Sequence, residues 1–253
     1  MKRTQNWLFL AAMMGCTPTG QTREAPSSPD TDVDTDEAAE TGDTAPPSPC
    51  PTDMVAIEDW CIDTYEAPNI AGEYPLVMYT FHEAAQWCEA RSKRLCFDDE
   101  WQLACGGSQQ TSYPYGNTHQ PGVCNDEEVW RIYDQSLLNA WPASVCDSNV
   151  MSVDDLFSAA AAINSGAAEH VEWLYQGERG GSNLDCGGEW GVFDLSGNVE
   201  EWTRRRDGGS GAEFLGNLKG RYWAEARTCQ SNIYSHGNGF RFYEIGFRCC
   251  LDQ

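Results

Sequence analysis

Hydrophobic and polar positions change period along the chain, and those changes mark its first elements. Behind a Thr80-Phe-His-Glu83 capping box, the apolar positions Ala84, Ala85, Trp87, Cys88 and Ala90 recur at helical spacing and predict a helix that buries one stripe. A second short helix is expected after Asp98, with Trp101, Leu103, Ala104 and Cys105 turned inward and Gly106-Gly107 ending it. The two helices present Cys88 and Cys105. Residues 152–163 predict a third helix, with Ser152 as N-cap and Asp155 at the third helical position. The remainder is Gly, Asn and aromatic residues in short strands and turns, such as Tyr113-Pro-Tyr-Gly116 and Ser235-His-Gly-Asn-Gly239. No repeat period is visible.

The N-terminus is patterned differently. Met1-Lys-Arg3 is followed by an apolar run from Trp7 to Gly15 that is too short to span a bilayer, so residues 1–15 read as an export signal. Met13-Met-Gly-Cys16 resembles the bacterial lipoprotein cleavage box, which implies cleavage before Cys16 and a diacylglyceryl anchor on it. The competing reading is an ordinary secretory signal with a chance cysteine. Residues 17–49 hold Thr, Asp, Glu, Ala, Pro, Ser and Gly with only Arg23 positive, and bury too little apolar area to offset chain entropy. Asp30, Asp32, Asp34 and Asp36 alternate as in calcium loops, but Glu37 stands where an EF-hand needs glycine. Residues 16–49 are therefore expected to be a lipidated, acidic, disordered tether that ends at Pro46-Pro-Ser-Pro49. The expected location is the bacterial cell envelope, at the outer membrane or cell surface, with the membrane engaged through the lipid.

Composition bounds the rest. Of 253 residues, about two hundred remain for folding, with 10 Trp, 10 Tyr, 9 Phe and 24 Gly: one loop-rich, aromatic-cored domain over 50–253. Of the 39 acidic and 16 basic residues, 31 and 13 lie in that domain, a balance of −18 that repels phosphate backbones and argues against a nucleic-acid partner. Setting Cys16 aside, eleven of the twelve cysteines lie in the domain, too many for a reducing compartment and without paired zinc-knuckle spacing. Disulfides are expected, with one thiol over. Cys50 and Cys61 bracket a segment short enough to be a hairpin whose ends bond. Cys249 and Cys250, if on a strand, point to opposite faces and take different partners.

Candidate chemistry is sparse. His82, His119, His170 and His236 are scattered, without the local pairing of a zinc-protease helix. There is no G-x-S-x-G elbow and no phosphate loop. Arg204-Arg-Arg206 is the one basic cluster, read as a solvated turn or a partner of nearby acids. The best ligand candidate is Asp194-Leu-Ser-Gly-Asn-Val-Glu-Glu201. A tight turn at Gly197 would aim the carbonyls of Gly197 and Val199 alongside the Asp194 and Glu201 carboxylates, a donor set for calcium. The competing reading is a turn in which Asp194 and Asn198 bond local amides and Glu201 is solvated.

Cys61-Ile-Asp-Thr-Tyr-Glu66, Arg94-Leu-Cys-Phe-Asp-Asp-Glu-Trp101, Tyr113-Pro-Tyr-Gly116, Gly191-Val-Phe-Asp-Leu-Ser-Gly-Asn-Val-Glu-Glu-Trp202 and Gly246-Phe-Arg-Cys249 come in the order of one family. Over residues 54–250 the chain resembles the formylglycine-generating enzyme, or sulfatase-modifying factor, family. The resemblance implies a single α+β domain related to C-type lectins, with low regular secondary structure and bound calcium. Asp194, Gly197, Val199 and Glu201 match one family calcium site, and Asn125 part of a second. Cys88–Cys249 and Cys105–Cys229 match family disulfides, and Cys96–Cys250 and Cys124–Cys186 are further expected pairs that leave Cys146 over.

The family's enzymes oxidise a sulfatase cysteine with oxygen and copper held by two cysteines. Here the corresponding segment is Lys219-Gly-Arg-Tyr-Trp-Ala-Glu-Ala-Arg-Thr-Cys229, with Arg221 where the family has Ser and no Cys between Gly220 and Thr228. Cu(I) needs thiolate ligands, so copper is not expected and no catalytic residue is assigned. The related sulfoxide synthases' histidine-carboxylate iron site and added helical domain are not seen either. The expectation is a non-catalytic module binding a protein or glycan, with Arg221, Tyr222 and Trp223 as candidates to line the former cleft although such aromatics are more often core residues; the rival is an oxidase of formylglycine-generating or related metal-dependent type.

Overall fold

Strand β1 (Met54–Ile57) turns through Glu58-Asp59 into β2 (Trp60–Asp63), and the Cys50–Cys61 disulfide closes this hairpin. The computed structural model describes residues 50–138 and 152–253. The export signal, Cys16, the acidic tether and Cys146 lie outside the described residues.

Helix α1 (Phe81–Glu89) starts at Thr80, whose hydroxyl accepts the Glu83 N–H while the Glu83 carboxylate accepts the Thr80 N–H. Phe81, Ala84, Ala85 and Cys88 are buried; Trp87 is half-buried under the Arg91 guanidinium, and Ala90 caps the helix at the surface. Strand β3 (Arg94–Leu95) leads into α2 (Asp98–Gly106), which ends where Gly107 takes φ 63°. A short α3 (Gln135–Leu138) precedes α4 (Val153–Ile163), capped by Ser152 as its sequence predicts. Helix α5 (Ser165–Leu174) was not anticipated. Asn164 ends α4 and caps α5 by accepting the Ala167 N–H at 2.8 Å, so the two helices fold against each other and bury Leu156, Ala160, Ala167, Val171 and Leu174. Ser165-Gly166 obscured the start of a helix whose apolar positions are otherwise evenly spaced.

Two small sheets hold the rest. In the first, the order is β1-β2-β7-β3, with β7 (Cys249–Asp252) antiparallel to both neighbours. Its adjacent cysteines face opposite ways, and Cys249 bonds Cys88 while Cys250 bonds Cys96. In the second, β4 (Glu200–Arg204) lies between β5 (Gly216–Lys219), antiparallel, and β6 (Ile245–Phe247), parallel. Cys105–Cys229 and Cys124–Cys186 complete five disulfides, which take up all ten described cysteines. Ser48–Gln253 forms one compact unit of mixed helix and sheet with modest regular structure. No helix among the described residues is long and apolar enough to cross a membrane.

Candidate functional site

The turn before β4 is built by backbone that few residues tolerate. Gly197 sits at φ 79°, and a Cβ there would stand 2.1 Å from the Asn125 carbonyl oxygen, so only glycine fits. Asn198, at φ 53°, donates its N–H to that carbonyl at 2.7 Å. Its Oδ1 accepts the Glu178 N–H at 2.8 Å, and its Nδ2 donates to Glu66 Oε1 at 2.9 Å. Asp194 Oδ2 accepts the Gly181 N–H at 2.7 Å. Entering β4, Glu201 is buried rather than solvated, and Arg248 donates to both of its oxygens: Nη2 to Oε1 at 2.7 Å and Nε to Oε2 at 2.8 Å. Trp101 Nε1 adds a third bond to Oε2 at 3.0 Å.

Three buried carboxyl groups thus surround one guanidinium. Burial pushes Asp194 up to about 6 and Glu66 well above the usual carboxylate range, with Asp194 itself reinforcing the rise at Glu66. Glu66 Oε2 has no hydrogen-bond partner among the described residues. Burial works against the Arg248 charge, and the facing Glu201 carboxylate outweighs it and holds the guanidinium above its ordinary range. The arrangement is an ion pair of Glu201 with Arg248, flanked by two buried carboxyl groups whose pKa values burial raises.

This geometry does not fit the calcium set read from Asp194, Gly197, Val199 and Glu201, nor the part of a second site read from Asn125. Of the set's two carboxylates, Glu201 has both oxygens taken by a guanidinium that repels a second cation at the same place, and Asp194 Oδ2 accepts the Gly181 N–H. The Asn125 carbonyl is occupied by Asn198, and the Asn125 Nδ2 donates to the Gln176 carbonyl at 3.0 Å. Among the described residues, no group of three or more His, Cys, Asp or Glu side chains is placed to hold a metal ion.

The neighbouring segment, from β5 to Cys229, is the one on which the resemblance would place copper ligands. Lys219 is buried and donates Nζ to the Cys229 carbonyl at 2.8 Å and to Asn232 Oδ1 at 3.2 Å; burial without a paired carboxylate lowers it to about 8. Arg221, at φ 64°, bridges two acids: Nη1 lies 3.1 Å from Glu200 Oε1 and Nε 2.7 Å from Glu225 Oε2. Burial pushes nearby Glu244 up to about 8, and the Glu200 carboxylate adds to the rise. Tyr222 and Trp223 are 6 % and 1 % exposed and pack with Val199, Leu174 and Tyr243. Of the two readings, cleft or core, the structure takes the core one and corrects the cleft: their ring area closes the core there, and Arg221 is neutralised by its own acids. Cys229 is bonded to Cys105, so this segment offers no thiolate.

The four histidines stay apart. His119 faces buried Asp126 at 3.2 Å, His170 accepts the Asp134 N–H, His236 stacks on Phe240, and His82 is exposed on α1. No local pattern marks Glu66, Glu244 or Arg248 for a role, although Arg248 sits inside the Gly246-Phe-Arg-Cys motif. An arginine between two positions that become wholly buried was the signal available.

The chain matches the sulfatase-modifying factor enzyme 1-like domain over residues 21–253. Among curated proteins it is similar to inactive C-alpha-formylglycine-generating enzyme 2 of Bos taurus, at 26 % identity over 132 residues, covering 52 % of this chain and 33 % of that protein. The Mus musculus protein of the same name is 24 % identical over 161 residues, covering 63 % of this chain and 41 % of its own length. The matched part therefore spans well under half of either relative. Among solved structures, that of CarF superposes with a TM-score of 0.51 at 14 % identity, over 77 % of this chain and 86 % of CarF, a likeness of fold alone. With motifs, fold and family match in agreement over the described domain, the chain belongs to the sulfatase-modifying factor enzyme 1-like domain family.

Proposed function

We propose that this chain is a non-catalytic member of its family, a binding module for a protein partner held to the cell envelope through lipid on Cys16. The observation that carries this reading is the state of the segment after β5: Arg221 sits between Glu200 and Glu225, no cysteine lies between Gly220 and Thr228, and Cys229 is in a disulfide. Oxidation of a substrate cysteine by a copper enzyme needs a thiolate pair to hold the soft ion and an open position for the substrate sulfur, and this segment supplies neither. The relatives named inactive formylglycine-generating enzymes support the same reading. A protein partner is favoured over a glycan by Val129, Trp130 and Ile132, exposed at 73 %, 62 % and 66 % on one stretch of chain.

The test is thiol titration of the folded protein together with Cu(I) binding and oxygen consumption on a cysteine-containing peptide. At most one reactive thiol and no oxygen uptake are expected; two free thiols holding Cu(I), or peptide-dependent oxygen uptake, would return the oxidase reading. Mass spectrometry of the mature N-terminus tests the tether, and an unmodified Cys16 would remove it. A glycan array screened beside a pull-down with Trp130→Ser as control separates the two partner classes.

A further inference from the structure

Beyond the cleft position, the end of β4 and the outer face of α1 form a half-open groove of about 480 Å³. Its floor is apolar, made by Phe81, Ala85, Phe97 and Leu215. One wall is a polar rail of His82, Gln86 and Glu89, which follow one another along a single face of α1. The opposite wall is Arg204-Arg-Arg206, and the three arginines differ in one respect. Arg205 is tied to Asp207 at 2.7 Å, and Arg206 to Asp99 and Glu100 at 3.0 Å while stacking on Phe97. Arg204 is exposed, and among the described residues its side chain makes no ion pair and donates no hydrogen bond; its guanidinium carbon lies 6.0 Å from the Phe81 ring centroid.

A chain of net charge −23 has many carboxylates to spend on its arginines, yet leaves this one facing an apolar floor. We propose that the groove receives the C-terminal residue of a protein partner, its free carboxylate on Arg204 and its apolar side chain on Phe81 and Leu215. The guanidinium offers a planar pair of donors that a carboxylate matches with two hydrogen bonds, whereas a neutral amide matches only one. A volume of about 480 Å³ takes one large side chain with the flanking backbone, and a groove open along its length admits the chain that precedes it. The polar rail gives that backbone donors and acceptors. This assignment leans on the binding-module reading only for the partner being a protein; the groove lies outside the 219–229 segment, so oxidase activity would leave it standing.

Calorimetry on the full chain with acetyl-Gly-Gly-Gly-Phe, its C-terminal amide and phenylacetate decides it. The tetrapeptide acid is expected to bind saturably, the amide about tenfold more weakly, and phenylacetate more weakly than the tetrapeptide. Arg204→Gln should lose the same factor of about ten with an unchanged melting temperature, because the side chain is exposed and unpaired. Equal binding of acid and amide, retained binding by Arg204→Gln, or no binding of the acid overturns the proposal. Phenylacetate binding as tightly as the tetrapeptide also overturns it, by making a free small acid the ligand.

Discussion

Strands β4 and β5 are hydrogen-bonded neighbours, with Glu201 directly opposite Lys219, yet they stand at opposite ends of this family's inheritance. The turn leading into β4 keeps its glycine, its asparagine and a glutamate whose two oxygens are held by Arg248. The segment leaving β5 holds a buried lysine with only neutral oxygen partners, then Arg221 between two acids. Each region buries a cation, and the difference lies in what answers the charge. Arg248 meets a carboxylate in bidentate geometry, so the pair holds three chain segments in one arrangement. Lys219 meets a backbone carbonyl and an amide oxygen, which satisfy its protons but not its charge. The two regions are thus held differently: the turn before β4 by a complete set of bonds around one ion pair, and the segment after β5 by Arg221 shared between Glu200 and Glu225.

The comparison breaks most visibly at the ion pair. Glu201→Gln or Arg248→Met leaves a buried charge unanswered and should cost about 3–5 kcal/mol, read as a fall in melting temperature of about 10 °C for a domain of this size. The double variant Glu201→Leu with Arg248→Met should recover at least half of that loss; a loss under about 1 kcal/mol in the single variants would mean that the pair does not brace the turn.

Glu244 should come next. Its folded pKa of about 8 exceeds the 4.5 of an ordinary glutamate, so the folded state holds a proton that the unfolded chain has released. Its contribution to stability therefore falls as pH rises from about 4.5 to about 8. Glu244→Gln should flatten that slope and stabilise the protein by about 2 kcal/mol at pH 9, checked by denaturant titrations across pH.

Lys219 should act in the reverse sense and more weakly. With a folded pKa of about 8 against 10.5, it is the unfolded chain that holds the extra proton between those values, so stability should rise through that window. Lys219→Met should remove the rise and gain about 1 kcal/mol at pH 7; an unchanged slope would show that Lys219 is better solvated than its burial implies. The smallest effect is expected from chelation. Because the Glu201 oxygens already face Arg248, EDTA should move the melting temperature by less than about 1 °C, and a large fall would restore a calcium ion to the turn.

Much of the fold could be read from local signals. The Thr80 capping box, the Ser152 cap, the Gly107 stop and the opposed faces of Cys249 and Cys250 are decided within a few residues, and the structure carries all four. Helix α5 escaped because its cap, Asn164, is also the end of the helix before it, and Gly166 lowers the propensity of its first turn. At the candidate site, the glycine requirement at Gly197 was readable from the turn, whereas the partner of Glu201 was not. Arg248 lies 47 residues away, and the spacing of Asp194, Gly197, Val199 and Glu201 says nothing about which cation answers them. Tyr222 and Trp223 show the same limit: core is the commoner reading of such a pair, but the sequence does not exclude a cleft.

By itself the sequence determined the helices with their caps, the oxidised cysteine framework of one acidic domain and the absence of a thiol pair between Gly220 and Thr228, because each depends on residue type and short spacing. Only the tertiary structure decided which charges meet: that Arg248 answers Glu201, that Arg221 is shared by Glu200 and Glu225, and that Arg204 is left open beside Phe81. Charge pairing is settled by distance in space, and in this fold the chain brings together residues that no local pattern connects.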